Sequence, residues 1–497
     1  MNSIVKFFIY GFLIFNVSNV AAQEISTKRN IVLLVSDDHS PDLGAYGNDI
    51  IQTPALDALA ADGVHFTNAF ATTASCSASR SVILTGLQNH RTGQYGHLHD
   101  FHRFNTWEDL KTLPVLLQES GYRTASAEKF HVGSDQTYKF EQRLHSPYRS
   151  SVEMAEGTSG FINSDDERPF FLYFATSDPH RGGRFLQDGS RAGLDDIDTP
   201  DDFGNLSPGA QKIEAVTYDP KDVIVHDFLP DTDISRIELA EYYQAVSRMD
   251  QGFGKVIEIL KEAGKYDDTL IIYMSDHGIA FPGAKTTTYD AGLNAPLIVR
   301  HPDSLNRGIA NDALISWVDI TPTILDFAGI DEPTYNKQIM LEPISSDLDE
   351  SHGLHGQSLL PVLDQEHPEG RDEIFASHTF HEIQMYYPMR VVRGRKYKLI
   401  WNIAHGLTFP AAADLWESPT WQRSYRQGKD AMYGPRTVEA YMHRPEFELF
   451  DIEKDPLESK NLADDPEFKD ILEAHKVKLK EFQRSTQDPW LLKWIYQ

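Results

Sequence analysis

The sequence predicts an α/β fold: a mostly parallel sheet flanked by helices, with a smaller C-terminal part built on an antiparallel sheet. Two observations carry this. Long apolar runs recur along the chain and each stops in a polar cluster, and helix-like segments separate them. Runs that are apolar throughout, rather than at alternate positions, suit parallel strands buried on both faces.

The first run, Asn30-Ile31-Val32-Leu33-Leu34-Val35, stops at Ser36-Asp37-Asp38-His39. A helix is predicted over 53–62 and another over 113–120, and a weaker strand over 122–127 leads to Lys129 and His131. Pro169-Phe170-Phe171-Leu172-Tyr173-Phe174 leads to Ser177-Asp178-Pro179-His180. A helix with apolar residues at helical spacing runs over 237–263 and closes at Gly264. Thr269-Leu270-Ile271-Ile272-Tyr273-Met274 then stops at Ser275-Asp276-His277-Gly278. Ligands of open α/β sheets gather beyond the carboxyl ends of the strands. Four strand ends here deliver carboxylates, a lysine and histidines to that edge.

Near Glu373 the character changes. Residues 389–401 read as two strands around a turn, 448–451 as a further short strand and 466–483 as a terminal helix. The expected division is a leader over 1–22, a catalytic α/β domain over 23–375 and a C-terminal subdomain over 376–497. The leader reading rests on Lys6, the apolar stretch Phe7 to Phe15 and the small residues Val20-Ala21-Ala22. That stretch is well short of the ~20 residues a membrane span needs. A periplasmic or secreted protein, cleaved near Ala22, is expected. A formal net charge of −28 argues against nucleic acid and anionic membrane surfaces as partners.

The chain has a single cysteine, in Cys76-Ser77-Ala78-Ser79-Arg80. An exported protein with one thiol has no internal disulfide, so Cys76 is an inert core residue, a reactive thiol or a modified nucleophile. Small neighbours, Arg80 and the following Ser81-Val82-Ile83-Leu84 place it near a helix N-terminus, where anions bind. The three acidic side chains Asp37, Asp38 and Asp276 offer oxygen ligands that favour Ca²⁺ or Mg²⁺ over zinc.

Cys76 to Arg80 with Leu84-Thr85-Gly86, together with Ser36-Asp37-Asp38, Lys129-Phe130-His131-Val132-Gly133, Asp178-Pro179-His180, Ser275-Asp276-His277-Gly278 and Thr321-Pro322-Thr323-Ile324-Leu325, resemble the type I sulfatases of the alkaline phosphatase superfamily. Leu449-Phe450-Asp451, Asp455-Pro456 and Asn461-Leu462 resemble that family's C-terminal end. Within the family, Tyr218-Asp219-Pro220, Arg248-Met249-Asp250-Gln251-Gly252, His381-Glu382 and Tyr387-Pro388-Met389-Arg390 look like the sulfamidase (heparan N-sulfatase) branch. Four positions depart from these patterns. Ala78 replaces the signature's proline, and Glu128, His277 and Lys285 stand where the branch has Gly, Asn and Arg.

The resemblance implies an alkaline phosphatase-like fold and oxidation of Cys76 to formylglycine (3-oxoalanine) by a formylglycine-generating maturation enzyme. It also implies a Ca²⁺ held by Asp37, Asp38, residue 76, Asp276 and His277. Arg80 and Lys129 are expected beside residue 76, His131 as the base that acts during sulfate release, and His180 and Lys285 facing the leaving group, with His180 the acid. His381 and Glu382 are candidates for binding the sugar; His97, His99, His102 and His378 are weaker ones. The expected substrate is a sulfated saccharide. An O-sulfate ester of an algal polysaccharide such as ulvan is preferred, and N-sulfoglucosamine of heparan-type chains is the alternative. A phosphatase or phosphonate hydrolase is disfavoured for want of a two-zinc ligand set, and a non-catalytic saccharide-binding protein by the complete catalytic set.

Overall fold

A computed structural model describes residues 29–145, 149–182, 190, 201–206, 212–336 and 351–495. The leader expected over 1–22 lies outside them.

Eight strands form the central sheet: β1 (Asn30–Ser36), β2 (Val64–Phe70), β3 (Arg123–Glu128), β4 (Gln142–Leu144), β5 (Phe170–Ala175), β6 (Thr269–Ser275), β7 (Leu297–Arg300) and β8 (Ile309–Ser316). Their order across the sheet is β8-β2-β7-β6-β1-β5-β3-β4. Strand β1 is parallel to both neighbours, with Leu33 level with Tyr173 on one side and Ile272 on the other. Strand β3 is parallel to β4 and β5, and β8 to β2. Only β7 is reversed, antiparallel to β2 and β6. The chain leaving β6 stays at the sheet's carboxyl edge over 276–296 and re-enters directly, without the crossover helix that a parallel return needs.

Burial on both faces explains the continuous apolar runs. Along β1, Val32 and Leu34 pack with Leu239, Val246 and Phe253 of the long helix α4, whereas Ile31, Leu33 and Val35 pack with Val82, Leu113 and Ile324 on the other face. Helices in this part of the chain include α1 (Pro54–Ala61), α2 (Cys76–Ile83), α3 (Leu113–Glu119), α4 (Asp233–Glu262) and α5 (Ile320–Ala328). Helix α4 starts four residues before the predicted position because the Thr232 side chain caps it, accepting the N–H of Ser235. No helix among the described residues is long and apolar enough to cross a membrane.

The second sheet is antiparallel in the order β9 (Glu373–His378), β10 (Met389–Gly394), β11 (Tyr397–Asn402), β12 (Phe447–Asp451). Strand β9 runs across the 375/376 position where the sequence suggested a division. After the four-residue helix α6 (Ala413–Trp416), helix α7 (Lys469–Ser485) lays Leu472 on Val392, Leu399 and Leu449, and Leu479 on Trp401.

A buried ion pair ties the last segment to this sheet. Asp488 accepts from Arg390 Nε at 2.6 Å and Nη2 at 2.9 Å, and both side chains are fully buried. Replacing Asp488 with alanine leaves a buried guanidinium without its counter-charge, and is expected to cost about 3–5 kcal/mol in urea unfolding. Burial alone would raise the Asp488 pKa, but Arg390 holds it well below the carboxylate range. The pair's contribution is therefore complete above the unfolded carboxylate pKa of ~3.9 and fades as pH falls toward the depressed value.

Candidate active site

The loops leaving β1, β3, β5 and β6 meet the first turn of α2. Asp37 and Asp38 follow β1. Asp38 sits in the left-handed region (φ 61°), which Asp tolerates better than most residues, and its N–H donates to Asp276 Oδ1 at 3.0 Å. Carboxylate oxygens of Asp37, Asp38 and Asp276 lie within 4.8 Å of one another, all buried. Arg80 lies one helical turn after Cys76 and so on the same face of α2. Its fully buried fork donates to Asp37 Oδ1 at 3.1 Å, Asp276 Oδ2 at 3.0 Å and the Tyr173 hydroxyl at 3.2 Å. Lys129 donates to Asp37 Oδ2.

Cys76 Sγ is 3.4 Å from His277 Nε2 and 3.6 Å from Asp38 Oδ1. His277 Nδ1 lies 2.9 Å from the Gly278 carbonyl, which fixes the ring proton on Nδ1. His277 Nε2 lies 3.1 Å from Asp38 Oδ1, close enough for both atoms to serve one cation as neighbouring ligands. The donor set, three carboxylates and an imidazole nitrogen held from behind, fits a hard divalent metal such as Ca²⁺.

On the other side, Lys285 Nζ donates to Asp38 Oδ2 at 2.8 Å, Asp414 Oδ2 at 2.8 Å and His180 Nε2 at 3.2 Å. The loop bearing His180 is fixed by Asp178, which accepts from Arg149 at 2.6 Å and from Arg248 at 2.7 and 2.8 Å. Arg248, in the branch-like segment, thus acts on the site through that loop.

Electrostatics follow from burial and crowding. Burial, then the charge of Asp37, pushes the Cys76 thiol well above its ordinary value, so the unmodified residue is a poor nucleophile at neutral pH. Burial would raise Asp37, but Lys129, His180 and Arg80 hold it well below the carboxylate range. Burial and the neighbouring Asp37 raise Asp276 to about 6, against Arg80. Burial would lower Lys285, yet Asp38 and Asp414 keep it well above its usual value. Burial and then Lys285 hold His180 well below 6.5. Lys285 and His180, the residues the sequence places facing the leaving group, thus share one hydrogen bond beside Asp38.

Of the sequence-predicted residues, Asp37, Asp38, Cys76, Arg80, Lys129, His180, Asp276, His277 and Lys285 form this connected cluster. His131 stacks on His97 with ring centroids 4.8 Å apart, and its buried Nδ1 has no hydrogen-bond partner among the described residues. His381 joins the wall behind Cys76 through Ser75. Ser77 Oγ accepts the Leu98 N–H and lies 3.3 Å from His97 Nδ1. His97 Nε2 and His381 Nε2 are hydrogen-bonded at 2.8 Å, and His381 Nδ1 and Ser75 Oγ at 3.0 Å. This relay braces both neighbours of Cys76. Glu382 lies at the rim, 3.5 Å from the Ala413 N–H. Two weaker candidates are spent on structure: His378 bonds Thr73, and His102 accepts the Ile383 N–H. Sequence reasoning missed Asp414, Tyr173 and the serine–histidine relay. Asp414 follows Pro410-Ala411-Ala412-Ala413, which carries no anion- or metal-binding pattern.

Cys76, three buried carboxylates and the cations Arg80, Lys129 and Lys285 gather at the carboxyl edge of a sheet of alkaline phosphatase-like fold. The chain belongs to the sulfatase family: residues 29–330 match the family described as Sulfatase, and residues 281–425 match that described as N-sulphoglucosamine sulphohydrolase, C-terminal. It is accordingly a sulfuric ester hydrolase. It is 38% identical over 483 residues to the N-sulphoglucosamine sulphohydrolase of Homo sapiens, covering 93% of this chain and 91% of that protein. An ulvan-active sulfatase of Formosa agariphila is 27% identical, covering 90% and 78%. A structure solved with its substrate, D-glucosamine-2-N,6-O-disulfate, superposes with a TM-score of 0.63 at 20% identity, covering 93% of this chain and 98% of that one. At that identity the likeness is one of fold.

Proposed function

We propose that this sulfatase acts on sulfated saccharides, removing sulfate from the nitrogen of N-sulfoglucosamine in heparan-type chains. The observation that carries the choice is the match over 281–425, which includes Lys285, His381, Glu382 and Asp414. It moves the preferred substrate away from the ulvan ester that the sequence suggested. The enzyme is exported, and a maturation enzyme converts Cys76 to formylglycine.

The formylglycine hydrate supplies a nucleophile that can later expel sulfate by reverting to the aldehyde. A Ca²⁺ held by Asp37, Asp38, Asp276 and His277, with residue 76, supplies Lewis-acid and template chemistry. The chain's own groups do the rest. Arg80 and Lys129, both beside Asp37, place positive charge where negative charge develops on the sulfuryl oxygens. His131 takes the proton released from position 76, using its unpartnered nitrogen. Lys285 and His180 deliver a proton to the departing atom. The relay through His97 and His381 holds Ser75 and Ser77, and with them residue 76, in register.

The test uses protein made in a host with a formylglycine-generating enzyme. N-sulfoglucosamine, ulvan oligosaccharides and 4-nitrocatechol sulfate are each incubated with it, and sulfate is measured by ion chromatography. Sulfate with free glucosamine from the first substrate is expected. Release from ulvan alone overturns the reading in favour of the ester substrate.

A further inference from the structure

We infer that Asp414 is a specificity-determining residue that selects a nitrogen-linked over an oxygen-linked sulfate. This rests on the N-sulfoglucosamine reading and goes beyond it. Asp414 belongs to the C-terminal part of the chain, in α6, yet its Oδ2 lies 2.8 Å from Lys285 Nζ. Its carboxylate oxygen also lies within 4.8 Å of ligand atoms of Asp38 and His180. The Asp414 side chain is 19% exposed and that of His180 26%, whereas Lys285 is 1% exposed. The two more open groups thus face the mouth of the site, and Lys285 is the buried cation between Asp38 and Asp414. Oδ1 of Asp414 is anchored by the Leu415 N–H at 2.9 Å, which fixes the carboxylate's direction.

The bridging atom of a sulfamate is a nitrogen carrying one hydrogen; that of a sulfate ester is an oxygen carrying only lone pairs. A carboxylate at the leaving-group side accepts the N–H and repels the ester oxygen. In the transfer step the S–N bond breaks and its electron pair goes to nitrogen, which takes one proton from the Lys285–His180 pair. The sulfuryl group passes to the hydroxyl oxygen at residue 76, whose proton is lost to solvent, and the freed amine takes up a second proton from solvent. A site built to bond an N–H discriminates strongly against the analogue that lacks it.

The test compares kcat/KM for N-sulfoglucosamine and for 4-nitrocatechol sulfate in the matured wild type, Asp414→Asn and Asp414→Glu. Asp414→Asn is expected to lose about tenfold or more on the sulfamate relative to the ester, in line with a hydrogen bond to a charged group. Asp414→Glu, which keeps the carboxylate, is expected to retain more of the sulfamate preference than Asp414→Asn. Equal losses on both substrates would mean that Asp414 only positions Lys285, and would overturn the inference while leaving the substrate reading intact. An unchanged ratio in Asp414→Asn overturns it as well. A wild type that cleaves the ester but not the sulfamate overturns both.

Discussion

Replacing Cys76 with alanine is expected to lower sulfate release by on the order of 10⁴-fold or more, with the fold retained. The reason is chemical. The arginine, lysines and histidines around position 76 can bind and polarise a sulfate, but none can form and then break the bond to sulfur that turnover needs. Losing one small buried side chain costs about 1–2 kcal/mol of stability, too little to unfold a chain with a core on both sheet faces. Circular dichroism of the variant therefore stays native while turnover disappears. The companion measurement is the mass of the peptide carrying residue 76 in active wild type. An aldehyde in place of the thiol makes it lighter; full activity with an intact thiol would sink the proposed nucleophile.

The second large effect is expected at Arg80. Its guanidinium bridges Asp37 and Asp276 at 3.1 and 3.0 Å with no exposure to solvent. Arg80→Ala removes the counter-charge of two buried carboxylates, a loss of about 3–5 kcal/mol in chemical denaturation. It also removes charge from the sulfuryl pocket, which is expected to cost a further 10²- to 10³-fold, roughly, in kcat. Arg80→Lys keeps the charge but not the planar fork, so it should recover stability in part and activity less. A variant of normal stability and normal kcat would show that the fork is not engaged with substrate.

The parts of the fold that the sequence revealed are those buried on two faces. Strands β1, β5 and β6 are continuous apolar runs because helices cover both sides, and their ends carry Asp37, Asp38, Asp178, His180, Asp276 and His277. Strand β2 was not legible: His65, Thr67 and Asn68 break its apolar pattern toward the sheet's edge. Strand β7 is only four residues long, too short for a period to show. The same contrast holds in the site. Residues that follow strands declared themselves through spacing, whereas Asp414 reaches Lys285 only because the C-terminal part folds back over the catalytic edge. Histidine serves equally as a structural hydrogen-bonding group, so its presence alone marks no site: His378 bonds Thr73 and His102 accepts the Ile383 N–H.

Helix α2 is buried along its whole length, and Cys76 is 0% exposed. A modifying enzyme could not grip this stretch once the surrounding strands have closed on it. The oxidation would thus belong to biosynthesis, acting on a chain still extended, with folding as the step that seals the product in. Molecules that collapse first would be lasting dead ends, so the active fraction of any preparation would record a race won or lost before the protein was finished.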